Sequence, residues 1–186
     1  MRAVELLSVC LFSVLVFING ANLSLSAWLL PLGALIGWLL ADLLSGLAHW
    51  AGDSFGSERT PVLGPALIRP FREHHTDPRA MTRHDFIEVN GASCLGCLPI
   101  LMVFLFFSVN PFIHSILVFL CLGILLANQC HKWAHTQRPP GFVRSLQKIG
   151  LILRAEEHRL HHRSPYNSHY CTASGWLNRP LNLLLK

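Results

Sequence analysis

Four apolar runs, at residues 4–18, 25–48, 92–109 and 112–127, dominate this chain. Each is long enough or nearly long enough to cross roughly 30 Å of hydrocarbon, which takes about 20 residues of helix. With 52% of the 186 residues hydrophobic and only 13% charged, the polar surface is too small to cover a soluble globule of this size. The expected fold is therefore an all-α membrane protein with four transmembrane helices, read as one membrane domain over residues 1–186.

The charges predict how the spans are oriented. Every Lys and Arg lies at Arg2, between residues 50 and 91, or after Cys130; the short turns at 19–24 and 110–111 carry none. With an even number of spans, the N-terminus, the central segment 50–91 and the tail 130–186 share one side. The positive-inside rule makes that side cytoplasmic. The first run also has the form of a signal peptide, with Arg2 ahead of a short apolar core and small residues at Gly20 and Ala21. Its removal would leave the orientation of the remainder unchanged. Asn22 and Ser24 form a glycosylation sequon on the outer side, almost within the membrane.

Six cysteines, mostly inside or beside the apolar runs, do not form a disulfide framework. Cys94 and Cys97 have redox-motif spacing, but they open a span and lack a second pair for zinc, so packing is the expected role.

The two cytoplasmic segments hold the chemistry. Segment 50–91 continues the second span, then meets Pro61, Pro65, Pro70 and Pro78 and so cannot form one helix. The tail continues the fourth span through NQCHKWAH, breaks at Pro139, Pro140 and Gly141, and is expected to resume as an amphipathic helix over 143–162.

Ten of the eleven histidines fall on the cytoplasmic side; His114 is the exception. Asp42, His49 and Asp53 are spaced seven and four apart, within about 20° around a helix. His131 and His135, three and seven residues past Asn128, are one turn apart on one face, which is ligand spacing. The tail brings His158 with His161 or His162, then His169; the central segment brings His74 and His75. One such histidine reads as an interfacial side chain bound to phosphate or backbone. Four segments converging on one membrane face read as a metal site, because ionisable groups at membrane depth are costly. Nine histidines exceed the needs of one ion, and imidazole alone does not name the metal.

The strings HWAGDSFGS, FREHHTDPRAMTRHDFIEVN, NQCHKWAH, HRLHH and SPYNSHYCTASGWLN, in this order across residues 42–181, resemble the plasmanylethanolamine desaturase family, the histidine-box membrane desaturases with a Kua-type domain. The resemblance implies a di-iron enzyme that takes dioxygen as co-substrate and introduces the vinyl ether bond of plasmalogens into an alkyl-ether phospholipid. A plant branch that desaturates an acyl chain of phosphatidylglycerol has a similar layout, although EHHTDP followed by TRHDF looks more like the plasmalogen branch.

By the resemblance, the iron ligands are His49, His74, His75, His131, His135, His158, His161 and His162, with His169 as a ninth. Asp53 either binds iron or orients His49; Asp42, His84, Asp85, Glu88 and Asn128 are expected to support the ligands from behind. Arg69, Arg72, Arg79 and Arg83 can grip an anionic headgroup, or face anionic lipid only.

No flavin or nicotinamide fingerprint is present, so an external donor is expected, an acidic protein of the cytochrome b5 or ferredoxin type drawn to the basic face. Nucleic acid is not an expected partner. The expected membrane is a bacterial inner membrane, or the endoplasmic reticulum in a eukaryote. The rival readings are an acyl-lipid desaturase or hydroxylase, a metal transporter or sensor, and a scaffold with structural zinc.

Overall fold

A computed structural model describes residues 2–23 and 28–185. Ser24 of the sequon and the first three residues of the second expected span lie outside the described residues. Among the described residues the regular structure is helical: α1 (Arg2–Ala21), α2 (Leu29–Ser54), a π-helical turn (Gly64–Ile68), α3 (Arg69–Thr76), α4 (Ala80–Arg83), α5 (Phe86–Phe106), α6 (Pro111–His135), α7 (Gly141–Lys148), α8 (Ala155–His161) and α9 (Asn178–Leu184). Helices α1, α2, α5 and α6 are long and apolar enough to cross a membrane, and at most 33% of the 18-residue apolar stretch in each is buried. Their apolar surface faces outward, as a lipid-facing helix requires. The chain is a multi-pass membrane protein with the all-α class expected from its sequence.

Two compact units partition the chain, Met1–Ala41 with Asp85–Leu126, and Asp42–His84 with Ala127–Lys186. In the first, α1 packs along α5. Phe12, Leu15, Cys94, Cys97, Leu98, Leu101, Val118 and Cys121 form its core, so Cys94 and Cys97 are packing residues with free thiols. Helix α5 opens on a capping box: Asp85 Oδ1 accepts from Ile87 N and Glu88 N at 2.9 and 3.1 Å, and Glu88 Oε2 accepts from Asp85 N at 3.0 Å. Arg2 clamps the same carboxylate with two bonds, 2.9 and 2.5 Å long. His114 bonds Asn19 Oδ1 at 2.8 Å, and Asn19 Nδ2 donates to the Leu15 and Leu101 carbonyls. That lone histidine therefore ties three helices of the first unit.

The second unit departs from expectation in the tail. The helix expected over 143–162 is two helices, α7 and α8, separated at Gly150, whose φ of +71° is left-handed and open to glycine without strain. Beyond it, Leu153 N donates to Ala173 O at 2.8 Å, a tertiary bond that continuous helix would forbid. Val143 and Leu153 are buried, whereas Ile149 is 73% exposed because the break turns it outward. Prolines shape the central segment as anticipated, with Pro65 and Pro70 in the first turns of the π-helical turn and α3, where a missing N–H costs nothing.

Candidate metal centre

All of the expected ligands belong to the second unit. The end of α2 carries His49 and, one turn on, Asp53. Arg72 folds α3 back onto this end: its Nε donates to Gly52 O at 3.3 Å and its terminal nitrogen to Phe55 O and Gly56 O at 3.0 and 3.2 Å. These are carbonyls that a helix C-terminus leaves without partners. Gly52 admits Phe71, since a Cβ there would sit 2.6 Å from the Phe71 ring, and Phe71 stacks on His49 with centroids 4.6 Å apart. His74 and His75 follow directly. Helix α6 presents His131 and His135 at its last turn, and α8 with its C-cap presents His158, His161 and His162.

The imidazoles converge through their Nε2 atoms. Four of them form one set: His158 Nε2 lies 2.8 Å from His131 Nε2, 2.9 Å from His135 Nε2 and 3.1 Å from His162 Nε2, and His131 and His135 are 3.2 Å apart. A second set gathers around Asp53 Oδ2, at 3.6 Å from His49 Nε2, 3.3 Å from His75 Nε2 and 3.5 Å from His161 Nε2; His75 and His161 are separated by 3.1 Å. His74 groups with both sets. An ion held tetrahedrally by bonds of about 2.0–2.1 Å separates its donors by roughly 3.3 Å.

Protonation explains why these contacts call for a cation. A neutral imidazole has one N–H and one bare nitrogen. The Nδ1–H of His49 donates to Tyr170 O at 3.0 Å, that of His161 to Ser168 O at 2.8 Å, and that of His74 to Phe71 O. Their Nε2 atoms are thereby left as lone pairs. His49 Nε2, His74 Nε2 and both Asp53 oxygens are buried with no hydrogen-bond partner in the structure. Burial, reinforced by neighbouring imidazoles, lowers His74 to about 2 and His162 to about 3, and holds His158 well below the usual histidine range. Burial likewise brings His161 to about 4. Neutral imidazole is the form that binds a metal, so the residues present fit one ion per set.

The remaining expected site residues lie elsewhere. His169 belongs to neither set; its Nδ1 meets Ser168 Oγ at 2.9 Å. Asp42, fully buried, holds the tail loop: Oδ1 accepts from Ser174 N and Gly175 N at 2.7 and 3.1 Å, and Oδ2 from Leu177 N at 3.1 Å. Asp85 and Glu88 cap α5 in the first unit, and the His84 carbonyl accepts from Lys132 Nζ at 2.5 Å. Asn128 lies in α6 one turn before His131. Arg69 pairs with Glu73, Arg83 with Asp77, Arg72 caps α2, and exposed Arg79 precedes α4. Sequence reasoning missed the carbonyls of Ser168 and Tyr170, because a main-chain acceptor carries no residue-type signal.

A family model described as the lipid desaturase domain matches residues 38–185. The chain belongs to the lipid desaturase family. It is 47% identical to a plasmanylethanolamine desaturase of Myxococcus xanthus, over 84% of this chain and 57% of that protein. It is 46% identical to plasmanylethanolamine desaturase 1 of Mus musculus, over 84% of this chain and 61% of the relative. Identity to the chloroplastic fatty acid desaturase 4-like 1 of Arabidopsis thaliana is 36%, over 83% of this chain and 53% of that protein. The chain thus spans little more than half the length of these curated relatives. No solved structure matches it. The family match contains both donor sets.

Proposed function

We propose that this chain is a di-iron, oxygen-dependent desaturase that forms the vinyl ether bond of plasmalogens in an alkyl-ether phospholipid. The observation that carries the reading is the pair of adjoining donor sets, one of four imidazoles and one of three imidazoles around the Asp53 carboxylate, with His74 common to both, inside a chain that matches two plasmanylethanolamine desaturases at 46–47% identity. His131, His135, His158 and His162 would hold one ion; His49, His75, His161 and Asp53 would hold the other, with His74 completing either. Asp53 is a direct ligand in this reading, since it faces Nε2 of His49 whereas Nδ1 is taken by Tyr170.

When bound, the iron pair supplies the oxidant: two substrate hydrogens, with two electrons and two protons from outside, reduce one dioxygen to two waters and leave a carbon–carbon double bond. The protein's residues position that chemistry. Main-chain carbonyls fix the imidazole tautomers, and Phe71 covers His49 and keeps water from it. Arg69 and Arg83 hold exposed ion pairs that an anionic phosphate can exchange into, and Arg79 adds charge beside them. Arg72 is committed to the α2 end. An acidic protein of the cytochrome b5 or ferredoxin type would deliver electrons at the basic face. That face is cytoplasmic by the charge rule, in a bacterial inner membrane or the endoplasmic reticulum.

Expression in a host that makes alkyl-ether phospholipid but no plasmalogen tests the substrate. Mass spectrometry should find a lipid short of two hydrogens, with an acid-labile vinyl ether. Desaturation confined to acyl chains would instead assign the chain to the acyl-lipid activity named by its plant relative.

A further inference from the structure

The two donor sets differ in what stands behind them. Buried Nδ1 atoms of His158 and His162 have no hydrogen-bond partner. By contrast, Nδ1 of His49 and of His161 are held by the carbonyls of Tyr170 and Ser168. Both carbonyls lie in one short stretch of tail, and α9 grips that stretch at two points. Asn182 Oδ1 accepts from His169 N at 2.8 Å and Asn178 Oδ1 accepts from Cys171 N at 2.9 Å. The asparagines are four residues apart and so share one face of α9. Between the two carbonyls, His169 has a φ of 61°, a left-handed conformation that a residue with a side chain keeps only where its surroundings impose it. Asn182 accepts the hydrogen bond from the N–H of His169 itself.

We propose that Asn178 and Asn182 are positioning residues for one metal of the pair: by clamping residues 168–171 they aim two carbonyls at His49 and His161, and so fix the tautomer and ring angle of the ligands around Asp53. The inference rests on the metal reading above and extends it to residues that touch neither ion. The set of His131, His135, His158 and His162 takes no part in the clamp, so the two ions should respond differently when it is released.

Titration of the metal-free full-length chain in detergent with Co2+, followed by visible absorption and metal analysis, tests this. The unaltered chain should take up two equivalents. Asn182→Leu should leave one equivalent unchanged and weaken the other by about 10–100-fold, the usual consequence of losing the partner behind a ligand. Asn182→Asp keeps an acceptor oxygen for His169 N on a part-exposed side chain, and should recover most of the lost affinity. Two equivalents at unaltered affinity in Asn182→Leu would overturn the clamp. So would equal weakening of both with no recovery in Asn182→Asp, which reports general destabilisation. Fewer than two equivalents in the unaltered chain would sink the two-metal reading itself, and the clamp with it.

Discussion

The set of four imidazoles and the set around Asp53 are built by different means from the same kind of residue. His131 with His135, and His158 with His162, are pairs at helical spacing of four, so two helices supply all four nitrogens of the first set. The second set needs α2 for His49 and Asp53, α3 for His75, and α8 for His161, and depends on the tail for the carbonyls behind two of them. Local geometry makes both pairs of the first set, which one meeting of α6 and α8 then joins; the second depends on long-range contacts among three helices and the tail. The first should thus survive disturbances that scatter the second.

The largest expected effect comes from adjacent histidines that serve different sets. His161→Ala should reduce bound Co2+ from two equivalents to one and abolish lipid desaturation, and His162→Ala should do the same through the other ion. Loss of the same equivalent in both variants, read by their absorption spectra, would dissolve the distinction between the sets. Asp53→Asn is next. It keeps the shape but removes the negative charge facing three Nε2 atoms, and should weaken one equivalent by about 10–100-fold while sparing the other.

Acid should act on both sets. In the folded chain His74, His162 and His161 stand at about 2, 3 and 4, below the roughly 6.5 of an unfolded histidine. The folded state then binds fewer protons than the unfolded one, so this contribution to stability is complete above about pH 6.5 and is lost as pH falls towards these values. The melting temperature of the metal-free chain should drop by on the order of 10 °C between pH 7 and pH 5. A flat profile would mean that the imidazoles are not held neutral. The smallest effect lies in the other unit: Asp85→Ala removes the α5 capping box and should lower the melting temperature by about 2–4 °C, with both Co2+ equivalents retained.

The sequence determined the four membrane-length helices, because hydrocarbon leaves little choice but apolar helix for runs of that length. It also determined that His131 and His135 share a face of any helix they occupy, and offered His158 two partners at helical spacing. The choice between those partners was tertiary: His162 joins His158, while His161 turns to His75 and Asp53. Asp42 shared a helical face with His49 and Asp53, yet three backbone N–H groups from the tail claimed it. Asp85 and Glu88 sat in a motif with the histidines and became a helix cap. Periodicity specifies which side chains share a face of one helix. Which segments meet that face, and which carbonyls stand behind its histidines, is decided by contacts between residues as far apart as 49 and 170, where no local rule reaches.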